Sequence, residues 1–488
     1  MGEPSRESSA RGASGVTAVT AGRGGRWERA LVVVTPVATM AAVALGLRLG
    51  AGSAVRAAVV YGAPPSRAGT GLAWQVVVFD EDHGLREPAR LPVFEVSARA
   101  GGRPEGRFRG PTNEDGVAEL LLALGPSVPA DLRLEVRAAG ALLAGGPAAP
   151  GSTSPPPAEP PSPWARFAKR EGAVALDVAV VGQRAASGFP ASIWVRASDA
   201  ATGGVLAGTI VELESDASLA PAGDVAHADA RGWAHLFAVP MGYAVPLILH
   251  AHALDGRSGT WAGGLFVSPG ASRIVVRDRY APGESPDIDV VVPNVRTIVY
   301  LEIDDAWGRA WAAALPVAAS PDGGLPRAST RAPRLAPGLY WAVAAGDPAG
   351  AAGLGPGTIA RPFFVADSDR AALTFGTDPD ACGAGADDEQ YLARAVARCL
   401  ALAAPRPVPR WTAIDGFAAA HARDAGKRTR GLAVALGAIG VAVALEAVLL
   451  VRAARGGAGQ GRTGSVATAI LVALLGFLLL AAFLARVA

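Results

Sequence analysis

Hydrophobic positions follow two different patterns along this chain. Three runs are almost continuously apolar and lie at residues 30–49, 431–452 and 465–486. At about 1.5 Å per residue, each is long enough to cross the roughly 30 Å hydrocarbon core of a bilayer. Between residues 70 and 367, short apolar runs alternate with polar residues and are often bounded by Gly, Pro, Asp or Asn, which is typical of strands and turns. The pattern predicts a mainly β protein with three transmembrane α-helices.

An internal repeat divides the β region. The segment Asn113–Leu120 recurs as Asp229–Leu236, a turn with Gly followed by a strand, at an offset of 116 residues. Two further blocks, one upstream and one downstream, recur at nearly the same offset. Self-similarity at a fixed period indicates copies of one structural unit. We therefore expect one β-sandwich over residues 70–140 and a second over residues 173–270.

The composition changes at the borders of these copies. Residues 146–165 are rich in Pro, which favours an extended and semi-rigid linker between the copies. Residues 273–367 are also strand-like but align poorly with the two copies, and they predict a third sandwich. Residues 385–426 change to helical spacing after a helix start at Asp387–Gln390, and they predict a short juxtamembrane helical segment.

Several turns and strands of the β region resemble a known kind of module. The segments that carry the resemblance are Asp199–Gly203, Val211–Leu213 and Asp229–Ala234 in the second copy, and Tyr280–Glu284 and Pro337–Tyr340 in the third segment. Their order is similar to that of the immunoglobulin-like modules of bacterial macroglobulin-type and other surface proteins. The resemblance implies tandem Ig-like β-sandwiches. Because the chain holds no Gly-Cys-Gly-Glu-Gln thioester stretch, the resemblance does not imply protease trapping.

Basic residues indicate how the apolar runs are oriented. Five arginines lie within residues 1–29, which we expect to be a disordered cytoplasmic leader, and three more lie at the end of the second run or between it and the third, at positions 452, 455 and 462. Because Lys and Arg accumulate on the cytoplasmic side, the sandwiches are expected on the periplasmic side of a bacterial inner membrane. The basic cluster Arg423–Arg430 lies on the outer side in this orientation and favours the reverse one. The first run is a signal anchor or a cleaved signal peptide.

Charge and cysteine content exclude several classes of function. The 45 Lys plus Arg against 43 Asp plus Glu leave a net charge of +2, without the concentrated basic face of a nucleic-acid-binding protein. Two cysteines exclude a multi-cysteine zinc site, and the sequence holds no nucleophile, phosphate-binding or metalloprotease motif. We therefore expect no enzymatic activity and no cofactor. Cys382 and Cys399 are expected to form a disulfide on the oxidising side of a membrane and to be ordinary thiols in the cytoplasm.

Histidines are concentrated in the second copy. If strands at 233–239 and 245–254 pair as a hairpin, three histidines and a turn aspartate come within reach of one metal ion. These candidate ligands are His235, His250, His252 and Asp229. The same outward face predicts an interface patch formed by Trp233, Phe237 and Ile248. A metal site, a pH-sensitive or partner-binding patch, and a packing contact with a neighbouring module remain open as alternatives.

One acidic residue, Glu446, interrupts the second apolar run. An intramembrane acid is a functional candidate. Three roles remain open for Glu446: a proton relay, an ion pair with Arg452, or a side chain that reaches the interface between membrane and water. We expect a membrane-anchored binding or scaffold protein of the cell envelope, with the membrane and other envelope proteins as partners. An accessory subunit of a membrane transport or signalling complex is the alternative.

Overall fold

The computed structural model describes most of the chain. The described residues are 24–50, 55–62, 72–82, 84–123, 131–148, 169–214, 216–347, 357–376, 382, 389–403, 406, 412–455, 468, 470–473, 475–477 and 480. Contacts divide the chain into a helical unit, residues 1–53 with 421–488, and a β-rich unit, residues 54–420. The helices are α1 (Gly24–Gly50), α2 (Asp369–Leu373), α3 (Glu389–Leu402) and α4 (Gly416–Arg455).

The helical unit has a small apolar core. Its buried side chains include Val43 of α1, Ile439 of α4 and Phe477. A Cβ atom added to Gly46 would lie 2.9 Å from the carbonyl oxygen of Gly431, so α1 and α4 approach closely where both helices carry glycine. Small residues are common where helices meet in membranes, because they let the backbones approach closely.

The expectation of three transmembrane helices is wrong for the part of the chain that the structure describes, where one helix is long and apolar enough to cross a membrane. This helix is Gly416–Leu449, by length and composition. The apolar part of α1 is shorter, Val34–Gly46, and Arg48 follows it. The third predicted span lies mostly outside the described residues. Helix α1 begins at Gly24, so residues 24–29 of the leader that we expected to be disordered are helical.

Strands, most of them paired antiparallel, build most of the β-rich unit. The first set is β1 (Val55–Gly62), β2 (Leu72–Asp82), β3 (Leu85–Pro88), β4 (Phe94–Ala100), β5 (Arg103–Gly110), β6 (Val117–Leu122), β7 (Arg133–Ala138) and β8 (Ala141–Pro147). The second is β9 (Lys169–Gly172), β10 (Val174–Val180), β11 (Ala185–Ala186), β12 (Ala191–Asp199), β13 (Ile210–Glu214), β14 (Leu219–Gly223), β15 (Val225–His227), β16 (Trp233–Pro240), β17 (Ala244–His252) and β18 (Ser258–Ser268). The third is β19 (Arg273–Val275), β20 (Arg279–Tyr280), β21 (Asp287–Val291), β22 (Ile298–Asp305), β23 (Gly308–Pro316), β24 (Arg327–Arg331), β25 (Gly338–Ala345) and β26 (Ile359–Val365), and β27 (Thr412–Asp415) follows α3.

These strands form three sandwiches, each with two sheets, and the mainly β fold class is confirmed. Module 1 has the sheet β27-β1-β2-β3, with β6 on β2, and the sheet β5-β4-β7-β8. Module 2 has β10-β12-β16-β14 and β11-β18-β17-β13-β15, with β9 on β18. Module 3 has β19-β21-β24 and β20-β26-β25-β22-β23.

The internal repeat has a counterpart in the sheet topology. In module 1, β2 pairs with β6 and β4 pairs with β7, and in module 2 the repeated strands β12 and β16, and β13 and β17, pair in the same way. Alternate side chains of each strand face the space between the two sheets, as in β4, where Phe94, Val96 and Ala98 are buried. Each module therefore has its own apolar core.

The structure differs from the sequence prediction at the borders of module 1 and in the segment 385–426. Module 1 begins at β1 and ends at β27, not at residues 70 and 140. The range 385–426, expected as juxtamembrane helices, contains α3, then β27, and then the start of α4, which continues through 431–452 without a break. Ile414 explains the strand, because its side chain joins the core of module 1 while β27 pairs with β1. Burial and strand pairing outweigh the helical spacing of this segment.

Candidate functional site

The predicted histidine hairpin is wrong. Strands β16 and β17 belong to opposite sheets of module 2, so His235 lies on one sheet and His250 on the other. His235 lies opposite Trp194 of β12, and His250 lies opposite Glu212 of β13. The turn between β16 and β17 carries the chain across the sandwich. Turn residues are needed both for a hairpin and for such a crossing, so the sequence does not distinguish the two.

The four candidate metal ligands have separate surroundings. His250 contacts Glu214, with 3.1 Å between Nε2 and Oε2, and His252 lies opposite Ile210 on the same sheet. The carboxylate of Asp229 stabilises the turn in which it lies, because its Oδ1 accepts hydrogen bonds from the backbone N–H groups of residues 231 and 233, both at 2.9 Å. Within the described ranges, no group of three or more His, Cys, Asp or Glu side chains could hold a metal ion.

The predicted interface patch is divided in the same way. Trp233 is buried against α3, where it packs with Trp194 and Ala401. Phe237 lies on the same strand and is 40% exposed. Ile248 lies on the other sheet of the sandwich and does not join them.

Helix α3 covers this face of module 2 through a buried arginine. The guanidinium of Arg398 donates to the backbone oxygen of Cys382 at 2.7 Å and lies 5.4 Å from the ring centre of Trp233. Its Nη1 lies 3.6 Å from Oδ2 of Asp229. Cys382 and Cys399 form a disulfide, with 4.8 Å between their Cα atoms. The disulfide ties α3 to the segment before it, and the ion pair and the aromatic contact hold the helix on module 2.

Glu446 lies in α4 and is fully buried within the helical unit. Its two carboxylate oxygens have no hydrogen-bond partner among the residues that the structure describes. An ion pair with Arg452, one of the alternatives for Glu446, is not among the ion pairs of the described residues.

Sequence reasoning missed a cleft between modules 2 and 3. It has a volume of about 340 Å³ and is lined by residues of both modules and by Ala397 of α3. His235 lies in its wall, with 2.7 Å between its Nε2 and Oγ of Ser192. The imidazole is stacked on Trp194 at 4.1 Å between ring centres and contacts Phe237 at 4.3 Å. Burial lowers the pKa of His235 to about 4, with a further contribution from the charge of Arg394, so the ring is neutral at pH 7.

Charged residues from both modules complete the cleft. Arg361 of β26 donates from Nη2 to Oδ1 of Asp278 at 3.0 Å, and its buried Nε has no hydrogen-bond partner among the described residues. Arg273 is exposed on β19. Arg184 of module 2 lies over the ring of Phe266, with its Cζ 4.6 Å from the ring centre. No motif in the sequence marks these residues, because they come from strands that are distant along the chain.

A tight turn holds the two modules together beside this cleft. The turn at Val181–Gln183 has positive φ at Gly182 (74°) and at Gln183 (59°). A Cβ on Gly182 would lie 2.2 Å from the carbonyl oxygen of Ala360 in module 3. Only glycine combines this backbone conformation with such a close approach.

A buried ionic cluster joins modules 1 and 3. Nη2 of Arg309 lies 2.7 Å from Oε2 of Glu119, and its Nε lies 3.1 Å from Oε2 of Glu302. Arg406 contacts Glu302 and Asp304, both at 2.5 Å. All five side chains are at most 6% exposed. Because three carboxylates face two guanidinium groups, burial and the neighbouring Asp304 raise the pKa of Glu302.

No family model and no curated protein sequence matches this chain. Among solved structures, the chain is similar to the adhesin InvE of Yersinia pseudotuberculosis, at 16% identity over 44% of this chain and 60% of that one, with a TM-score of 0.16. It is also similar to the Escherichia coli adhesin FdeC, at 12% identity over 64% of this chain and 98% of that one, with a TM-score of 0.17. A Salmonella alpha-2-macroglobulin matches at 13% identity over 66% of this chain and 24% of that one, with a TM-score of 0.18. The chain thus has distant structural similarity to bacterial Ig-like adhesins and alpha-2-macroglobulin domains, the kinds of module that its turns and strands resemble.

Proposed function

We propose that this chain is a membrane-anchored protein of the bacterial cell envelope. Its modules lie on the periplasmic side of the inner membrane and act as a binding scaffold for other envelope proteins. The observation that carries the proposal is the pairing of β1 with β27, the first and last strands of the β-rich unit. Helix α4 begins directly after β27, at Gly416. The first and last strands of the β-rich unit therefore lie side by side in one sheet, which favours a unit tethered through both of its chain ends over one tethered through a single end.

The contacts between modules support a scaffold. Module 1 is joined to module 3 by the buried cluster around Arg309, and module 2 is joined to module 3 by the apolar contacts of Phe189 and Ile359. Contacts of this kind between modules limit how far their surfaces can move relative to one another. The Cys382–Cys399 disulfide supports the periplasmic side, because disulfides persist in oxidising compartments.

The proposal includes no catalysis. Ser192 and His235 are within hydrogen-bond distance, but the lowered pKa of His235 makes the imidazole a weak base at neutral pH. Among the described residues, the hydrogen bond of the His235 ring is the one between Nε2 and Ser192, and no carboxylate binds Nδ1 to orient the ring, as a nucleophilic Ser–His pair needs. An esterase assay with p-nitrophenyl acetate tests this point, and activity that Ser192→Ala abolishes would contradict it.

The location is tested by labelling of single cysteines in intact cells. Both native cysteines are in a disulfide, so an introduced cysteine is the reactive thiol. Val295→Cys places it on a fully exposed position of module 3, and Ala458→Cys places it between the second and third predicted spans. A membrane-impermeant maleimide that crosses the outer membrane is expected to label Val295→Cys at once and Ala458→Cys only after the inner membrane is permeabilised. The reverse order would place the modules in the cytoplasm and refute the proposal.

An accessory subunit of a membrane transport or signalling complex is a second candidate, and Glu446 is the observation that favours it. A buried carboxyl without a partner among the described residues is costly in a membrane, and such groups commonly serve ion pathways or partner helices. Native gel electrophoresis of solubilised membranes tests this role. A high-mass complex that Glu446→Gln dissociates, and that Glu212→Gln on the exposed side of β13 leaves intact, would favour the accessory subunit. A complex that both variants leave intact would exclude a part for Glu446 in assembly.

A further inference from the structure

The cleft between modules 2 and 3 has the dimensions of a ligand site. Its volume of about 340 Å³ lies in the range of small-molecule pockets. The largest apolar side chains of its lining are Phe189 and Phe237 of module 2 and Ile274 and Ile359 of module 3. Phe189 is buried, whereas Phe237 is 40% exposed and presents an aromatic ring to solvent. Such a lining favours a ligand with an apolar or aromatic body.

The charge of the cleft favours an anion. Three arginines line it, Arg184, Arg273 and Arg361, and Asp278 is the acid among the lining residues. His235 is neutral at pH 7, so it contributes hydrogen bonding and no charge. The lining therefore carries two more positive charges than negative ones. In a partly enclosed site this excess attracts a negatively charged group.

Arg361 supplies an oriented donor. Asp278 holds its guanidinium through Nη2, while the buried Nε–H has no acceptor among the described residues. A buried donor without an acceptor is uncommon, and each instance asks for an explanation. An oxygen of a bound anion would satisfy it. A carboxylate matches the planar guanidinium better than a spherical anion does, because the carboxylate is also planar and its two oxygens can accept hydrogen bonds from neighbouring N–H groups.

We propose that this cleft binds a small organic carboxylate with an apolar or aromatic body. The carboxylate contacts Arg361 and Arg273, and the body lies against Phe189 and Phe237. Ser192 and the neutral His235 offer a further hydrogen-bonding position in the wall. This inference rests on the proposed binding function and gives it a ligand class.

Calorimetric titration of the full-length protein in detergent at pH 7.5 tests the proposal. Benzoate is the probe and benzamide is its neutral control of nearly the same shape. We expect benzoate to bind at least tenfold more tightly than benzamide, and Arg361→Gln to weaken benzoate binding at least tenfold. Arg331→Gln removes an exposed arginine elsewhere in module 3 and is expected to leave binding unchanged. Equal affinity for the two probes, or no heat from either, would refute a carboxylate site.

A second variant keeps the test decisive if Arg361→Gln does not fold, as judged by circular dichroism. Arg273 is exposed on β19, so Arg273→Gln is expected to fold and to weaken benzoate binding severalfold. Full binding by a folded Arg273→Gln would contradict the placement of the carboxylate. These results are independent of membrane topology. A failed titration with periplasmic labelling of Val295→Cys rejects the ligand class alone, whereas cytoplasmic labelling rejects the proposed function.

Discussion

The buried cluster between modules 1 and 3 makes a quantitative prediction for Arg309→Met. Arg309 contacts Glu119 at 2.7 Å and Glu302 at 3.1 Å, and its side chain is 2% exposed. Methionine fills much of the same volume but leaves both carboxylates without this cation. Only Arg406 then remains beside the three buried carboxyl groups, and Glu119 loses the cation that it contacts.

The magnitude follows from burial. Removal of one partner from a buried ion pair costs about 3–5 kcal/mol, because the remaining charge stays desolvated. The matched control is Arg331→Met, which breaks the 2.8 Å contact with Asp287. Both side chains of that pair are more than 60% exposed. Exposed pairs contribute about 0–1 kcal/mol, so the control is expected to have little effect.

Hydrogen exchange measured by mass spectrometry reports the opening of this interface. Since about 1.4 kcal/mol corresponds to a factor of ten, Arg309→Met should accelerate exchange in β6 and β23 by about two to four orders of magnitude. Strands of module 2 should exchange as in the unmodified protein. An acceleration below about tenfold, or an equal one in Arg331→Met, would refute the view that the cluster holds modules 1 and 3 together.

Three further predictions concern pH, the disulfide and the tight turn. Burial raises the pKa of Glu302 from 4.5 to about 8, so the folded protein keeps a proton that the unfolded chain loses, and this contribution to stability falls between pH 4.5 and 8. His235 has a pKa lowered from 6.5 to about 4, so its contribution to stability rises between pH 4 and 6.5 and is constant above pH 6.5. Between pH 6.5 and 8 only the contribution of Glu302 changes, so the midpoint temperature of thermal unfolding should fall over this range. Glu302→Gln should abolish that fall. Replacing Cys399 by Ser removes the link to Cys382, 17 positions away, and should lower the free energy of unfolding of α3 by about 3 kcal/mol, measured by hydrogen exchange, with no further change when a reducing agent is added. Gly182→Ala should lower the unfolding temperature by several degrees in calorimetry, because a Cβ there meets module 3 backbone at 2.2 Å, and an unchanged temperature would contradict the close approach.

The sequence by itself determined the local elements. Alternating apolar and polar positions reflect a strand with one buried face, and this signal needs no knowledge of the partner strand. The copies around Asn113 and Asp229 therefore appeared as a repeat, and in the structure they form equivalent turns before β6 and β16. The position of His235 on the face away from the core of its sandwich also followed from the repeat, since the matching residue in the first copy is the charged Glu119.

The tertiary structure decided which strands meet. The same alternation is compatible with a hairpin and with a chain that crosses to the opposite sheet, and so the sequence brought His235 and His250 together where the fold separates them. The return of β27 to β1 joins residues 350 or more positions apart, and helical spacing around Ile414 concealed it. The cleft and the ionic cluster arise in the same way, because their residues become neighbours only when separate modules pack. Local periodicity records which face of an element is buried, whereas the contacts between elements depend on the packing of the whole chain.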